Sequence, residues 1–264
     1  MLSSVLKRMG TLNMKTVKYA QASLLIMPEN IFKVFRPTDK EQERKGRGSW
    51  YNDTPGARFE HVKVALSRYC DADKDYDYLD LVWHIKNAVI GGVYVSNTVY
   101  EGIVEGNIWN KFVCVDNGEL GCKDDKYRDH FEIINGIVNG TTNRQEDENV
   151  FDDKYLEIRK WTGKDYTEGQ GLVFEHVIPA NIYTEELIRA YNANEFNEDY
   201  FREFREKILV CIVTKEEDKR LNEFKSNWPG LDNVTDPKEY WSIVTKDILA
   251  RYREVKVYIH NYPK

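Results

Sequence analysis

An acidic residue and a histidine stand side by side in the C-terminal half of the chain. Glu175 and His176 follow the apolar residues 172–174 and are followed closely by Pro179. A neutral imidazole can take a proton from water at cellular pH, and carboxylates are the hard oxygen ligands that Mg²⁺ prefers. Their chemistry is that of a hydrolase with a general base beside a divalent cation.

More acidic side chains occur where a second β-prone run, residues 208–213, meets a predicted helix. Thr214 has the character of an N-cap residue, and Glu217, three residues later, completes a capping box. Asp218 follows directly. Acids in the first turn also stabilise a helix without any metal, so a purely structural role for Glu217 and Asp218 stays open beside a role as ligand.

These segments carry a resemblance to a known family. The run Glu175-His176-Val177-Ile178-Pro179 resembles the first motif of HNH, or ββα-metal, endonucleases, and residues 214–222 are similar to the strand and helix that close that motif. The resemblance implies a ββα fold that holds one divalent cation. It also implies that Glu175 and Asp218 are metal ligands, with Glu217 as the alternative, and that His176 is the general base.

The cation expected from this resemblance is Mg²⁺, with Mn²⁺ as the alternative. The helix that begins at residue 215 has polar side chains that suit a phosphate backbone, and its N-terminus adds a favourable potential for an anion. The substrate-binding residues predicted on it are Lys215, Lys219, Arg220 and Asn222.

The elements that would position this site indicate an α+β protein. Helical spacing of apolar residues predicts helices at residues 58–67 and 75–86, whereas Val, Ile, Tyr and Thr favour strands of an antiparallel sheet within 89–104 and 109–115. Asn117-Gly118 is a hairpin-turn signal. After the strand at 172–174, helices are predicted at 185–191, 199–206 and 236–252, with a last strand at 254–260.

A polar, acidic stretch at residues 139–153 is the predicted domain boundary. Residues 1–150 would form a mixed helix and antiparallel-sheet region that recognises or positions the substrate. Residues 151–264 would form the ββα-metal nuclease domain.

Composition limits the setting in which such a site could work. The chain has 264 residues, 41% of them hydrophobic, and a net charge of -6, which opposes phosphate binding unless the basic clusters at 40–47 and 215–225 form a separate basic face. Its four cysteines do not have the spacing of structural zinc, and reduced thiols fit a cytoplasmic protein. No apolar run predicts a membrane span or a membrane partner.

The sequence therefore predicts a metal-dependent endonuclease that cleaves double-stranded DNA, site-specifically and in the manner of a restriction enzyme. A homodimer would suit the two-fold symmetry of duplex sites. Two alternatives stay open. One is a catalytically silent nucleic-acid-binding or protein-interaction module that retains the ββα fold, which Asp218 and the acidic net charge favour; the other is an RNA-directed nuclease.

Overall fold

The computed structural model describes residues 55–71, 77–140, 153–163, 171–224, 228, 234 and 236–262. The chain forms two compact units, one of residues 1–88 with 190–196 and the other of residues 89–189 with 197–264. Most of the stretch predicted as a boundary, and the basic cluster at 40–47, lie outside the described residues. The division at residue 150 therefore stays a prediction.

The described part of the first unit includes the helices α1 (Pro55–Cys70) and α2 (Tyr78–Ile85). Both were predicted from the spacing of their apolar residues and both are confirmed. The Asp77 side chain begins α2 with a capping box, accepting a hydrogen bond from the Asp80 main-chain nitrogen at 2.8 Å. The apolar side chains that these helices bury include Val62, Leu66, Leu81 and Ile85.

The second unit is built on a three-stranded sheet of β1 (Gly92–Val95), β4 (Leu172–His176) and β5 (Leu209–Thr214). The strand β5 lies in the centre, parallel to β1 and antiparallel to β4. Its residues 209–213 are all buried, as expected for an apolar strand covered on both faces. The predicted strands around residues 172–174 and 208–213 are thus confirmed.

A separate hairpin joins β2 (Val113–Asp116) to β3 (Glu119–Cys122). Its turn residues Asn117 and Gly118 have φ angles of 51° and 85°. Positive φ at both central residues is the conformation that Asn-Gly favours. The predicted turn is confirmed.

Helices fill the connections of the second unit. They are α3 (Asn97–Val104), α4 (Arg128–Val138), α5 (Ala180–Asn192), α6 (Glu198–Arg205), α7 (Lys215–Glu223), α8 (Pro237–Lys246) and α9 (Ala250–Glu254), with 3₁₀ helices at Asp125–Tyr127 and Asp153–Trp161. The two helices predicted between β4 and β5 are confirmed as α5 and α6. The molecule is of mixed α+β class, as predicted.

The predictions differ from the structure at three strands and one helix. The strand predicted at 109–115 begins only at Val113, and β1 pairs in parallel with β5 in place of the predicted antiparallel sheet. The helix predicted at 236–252 is divided into α8 and α9. The run at 89–104 forms a strand only as far as Val95, because the Ser96 hydroxyl accepts a hydrogen bond from the Val99 main-chain nitrogen and begins α3. The predicted strand at 254–260 is a turn with one isolated bridge between Ile259 and Ser96. None of the helices among the described residues is both long enough and apolar enough to cross a membrane.

Candidate functional site

The pairing of β4 with β5 determines where the two residues of the motif point. Glu175 is paired with Cys211, and His176 is paired with Val210. Successive residues of a strand face opposite sides of its sheet. Glu175 and His176 therefore lie on opposite faces, and the bend that would bring both to one metal ion is absent from β4 as described.

We call the two sides of the sheet the Glu175 face and the His176 face. The Glu175 face contains Tyr94, Cys211 and Val213, and it packs against Leu221 of α7 and Tyr252 of α9. The His176 face packs into the larger core of the unit; this core contains Val93, Val95, Val210, Ile212 and Trp109. Because α7 contacts both β4 and β5, the order strand, antiparallel strand and packed helix is present.

The Glu175 carboxylate forms an ion pair with an arginine. Arg251 of α9 donates from Nη2 to Oε1 of Glu175 at 2.7 Å and to the main-chain oxygen of His176 at 2.9 Å. The arginine side chain is 0% exposed and that of Glu175 is 12% exposed. Arg251 therefore holds the last two residues of β4 at once, one through its side chain and one through its main chain.

The Glu217 carboxylate is also hydrogen-bonded within the fold. It completes the predicted capping box of α7 with Thr214, which is confirmed, and its Oε2 accepts hydrogen bonds from the Thr214 main-chain nitrogen at 2.9 Å and from the Ser96 hydroxyl at 2.8 Å. Glu217 is only 2% exposed. Its carboxylate ties the start of α7 to the end of β1.

Both carboxylates act on the same buried groups of the Glu175 face. Burial raises the pKa of the Cys211 thiol well above its usual value, and the charges of Glu217 and Glu175 raise it further. Burial likewise raises the pKa of the Tyr252 phenol. The Cys211 thiol and the Tyr252 phenol are therefore neutral at cellular pH. The structure brings Glu175 and Glu217 to the same face of the sheet.

His176 is half-buried on the other face, beside a tyrosine. Its Nδ1 lies 3.3 Å from the hydroxyl oxygen of Tyr183, a fully buried residue of α5. Pro179 ends the extended segment and α5 begins at the next residue, which brings Tyr183 back to the histidine. The proton on this contact can belong to either group, and its position decides which ring nitrogen is free to act as a base.

The remaining predicted residues are spread around α7. Asp218 accepts a hydrogen bond from the Asn222 side chain at 2.9 Å on the exposed side of the helix. Arg220 donates from Nη1 to the main-chain oxygen of Val255 at 2.8 Å, so it braces the C-terminal segment. Three of the predicted phosphate-binding residues have exposed side chains: Lys215, Lys219 and Asn222.

The arrangement does not fit a divalent cation between Glu175 and the acids of α7. Glu175 is paired with Arg251, and Glu217 accepts its hydrogen bonds from Ser96 and Thr214. Among the described residues, no group of three or more His, Cys, Asp or Glu side chains could hold a metal ion. The ligand roles predicted for Glu175, Glu217 and Asp218 stay predictions.

Sequence reasoning missed Arg251, Tyr183 and Ser96. Arg251 could not be found, because its helix also contains Arg253 and nothing in the spacing separates the two. Tyr183 offered a signal, since a helix that starts just after Pro179 returns one of its first side chains towards the preceding strand.

Comparisons with protein-family models, with curated proteins and with solved structures found no match to this chain.

Proposed function

We propose that this protein is an endonuclease of the HNH kind in which His176 is the general base. One observation carries the proposal: the residues that resemble the HNH motif lie at the end of β4, the first strand of an antiparallel pair whose second strand runs into a packed helix. The resemblance implies two antiparallel strands followed by a helix, and in this chain α5 and α6 connect the two strands. The motif therefore occurs in a matching local context as well as in the sequence.

The contact with Tyr183 supports a role for His176 as a base. When Nδ1 carries the ring proton it can donate to the Tyr183 hydroxyl oxygen, and the lone pair of the ring is then on Nε2. A buried phenol at a fixed position favours one ring orientation. In this form His176 can remove a proton from a water molecule.

The proposed reaction is hydrolysis of a phosphodiester. Water loses a proton to Nε2 of His176, its oxygen bonds to phosphorus, and the bond from phosphorus to the leaving oxygen breaks; the imidazolium can then return the proton to that oxygen. The divalent cation implied by the resemblance could neutralise charge on the phosphate only from ligands other than Glu175 and Glu217, whose carboxylates are bonded within the fold. The exposed Lys215 and Lys219 remain the proposed contacts for neighbouring phosphates of double-stranded DNA, and RNA is the alternative substrate.

Cleavage of plasmid DNA and of a structured RNA by the purified chain tests the proposal, with Mg²⁺, with Mn²⁺ and with EDTA. We expect cleavage by the wild type and a loss of roughly 10²–10⁴-fold in His176→Ala. His260→Ala is the matched control, because His260 is also partly buried. Its main-chain nitrogen donates to the main-chain oxygen of Val95 in β1, the edge strand on the other side of β5. Equal activity in His176→Ala and the wild type would remove the general base and the proposal with it.

A second candidate is a catalytically silent nucleic-acid-binding module that keeps the ββα arrangement. The pairing of Glu175 with the buried Arg251 favours it, since an acid held in this way has a structural use of its own. This candidate predicts binding of DNA or RNA without cleavage under any metal condition. Loss of binding in a Lys215→Glu/Lys219→Glu variant would then support it.

A further inference from the structure

Arg251 binds the Glu175 carboxylate, which the resemblance assigns to a metal ion. Its guanidinium touches the carboxylate of Glu175 and the main-chain oxygen of His176, and it is fully buried. Within the part of the chain that the structure describes, its Nε and Nη1 have no hydrogen-bond partner. The charge of this side chain is therefore compensated mainly by Glu175.

Burial makes this pairing mutually dependent. A guanidinium taken out of water loses its hydration, and an anion fixed beside it offsets that cost. The same holds for a carboxylate. Arg251 and Glu175 satisfy each other, and the second acid of this face, Glu217, receives its own donors from Ser96 and Thr214.

We infer that Arg251 is the resident cation of the Glu175 face: its guanidinium takes the Glu175 carboxylate that a divalent metal would need, and it fixes the end of β4 without one. Arg251 also donates to the main-chain oxygen of His176. Glu175 is then a counter-ion for Arg251 and contributes no ligand to a metal. The inference concerns these two side chains alone, so it does not depend on whether the chain cleaves nucleic acid.

The direct test compares Mn²⁺ binding in the wild type and in a variant that lacks the carboxylate. Removing Glu175 alone would leave Arg251 buried and unpaired, so we choose the double variant Glu175→Leu/Arg251→Met, which removes both charges together. Free Mn²⁺ is followed by its electron paramagnetic resonance signal during titration. We expect the same number of bound equivalents and the same affinity in both proteins.

The loss of one Mn²⁺ equivalent in the double variant would overturn the inference, as would a tenfold or greater loss of affinity. Metal bound elsewhere is unaffected by the substitutions, so it does not disturb the comparison. A failed nuclease assay leaves this result untouched.

The second measurement is thermal unfolding of the wild type, of the double variant and of two single arginine variants. Any rise of the melting temperature from EDTA to millimolar Mg²⁺ should be the same in the wild type and in Glu175→Leu/Arg251→Met, because the cation of the Glu175 face is part of the chain. Arg251→Met should lower the melting temperature by roughly 6–20 °C, since it leaves a buried carboxylate unpaired. Arg253→Met is the control, because Arg253 pairs with Asp247 at the surface and its loss should cost little.

Two outcomes would contradict this part of the inference. One is a melting temperature of Arg251→Met within the range of the Arg253→Met control. The other is a Mg²⁺-dependent rise in the wild-type melting temperature that the double variant lacks.

Discussion

Replacing Ser96 by alanine should destabilise the protein more than its small size suggests. The Ser96 hydroxyl is fully buried and has two partners: it accepts from the Val99 main-chain nitrogen at 3.2 Å as the N-cap of α3, and it donates to Oε2 of Glu217 at 2.8 Å. One side chain therefore begins a helix and also satisfies a buried charge on another helix.

The size of the effect follows from these two contacts. Loss of a Ser N-cap costs about 0.5–2 kcal/mol, and loss of a hydrogen bond to a charged group costs about 1.5–3 kcal/mol. Glu217 keeps its bonds from the main-chain nitrogen and hydroxyl of Thr214, which reduces the second cost. We therefore expect Ser96→Ala to lower the free energy of unfolding by about 2–4 kcal/mol.

Urea denaturation measures this loss as a lower transition midpoint at an unchanged slope. Ser242→Ala is the control, because Ser242 is exposed on α8 and its replacement should change stability by less than about 0.5 kcal/mol. A double-mutant cycle of Ser96→Ala with Glu217→Gln should give a coupling energy of about 1 kcal/mol or more. A loss for Ser96→Ala as small as that of the control would refute the reasoning.

Three further predictions concern the side chains beside the site and on its edges. Tyr183→Phe should change the nitrogen-15 chemical shifts of the His176 ring, which report its tautomer, and should lower the free energy of unfolding by about 1 kcal/mol. Unchanged ring shifts would mean that the Tyr183 hydroxyl does not bind Nδ1. Cys114 is exposed, whereas Cys211 is buried and its thiol pKa is raised. Iodoacetamide should therefore alkylate Cys114 before Cys211, as measured by peptide mass spectrometry. Equal rates of alkylation would contradict the burial of Cys211. Burial lowers the pKa of His260. Below the ordinary histidine pKa the unfolded state therefore binds more protons than the folded state. The contribution of His260 to the free energy of unfolding is fully present above that pKa and is lost as the pH falls below it. The urea midpoint should therefore fall less in His260→Phe than in the wild type between about pH 7.5 and about pH 5.5, and an equal fall would remove His260 as the cause.

The local order of the site could be predicted from the sequence because each step had a local cause. The capping box of Thr214 and Glu217 depends only on two residues three apart, and it occurs as expected. The strand β5 was visible as an apolar run. By contrast, β-branched residues continue past Val95 into α3, and there the N-cap hydroxyl of Ser96 outweighs the strand preference of the following Val and Tyr side chains.

The partners of the acids could not be predicted, because they depend on contacts between distant parts of the chain. Arg251 reaches Glu175 from 76 residues away, and Ser96 reaches Glu217 from 121 residues away. No spacing rule connects such positions. A motif can indicate which residues stand together in the sequence, but the pairing of strands and helices decides what each carboxylate binds.

The alternation of β4 places the strongest constraint on any chemistry at this site. Glu175 and His176 are neighbours, yet they face opposite sides of the sheet, so a phosphate that meets the base cannot also meet the Glu175 carboxylate while β4 stays paired to β5 as far as His176. If cleavage requires a metal held by Glu175, the bonds from Arg251 to both residues must first break and the end of β4 must unpair. If cleavage proceeds with Arg251 in place, charge on the phosphate must be stabilised from the His176 side, because α7 packs on the Glu175 face. The Arg251→Met variant separates these two cases: it would relieve a restraint in the first and would loosen the position of the base in the second, so the sign of its effect on cleavage decides between them.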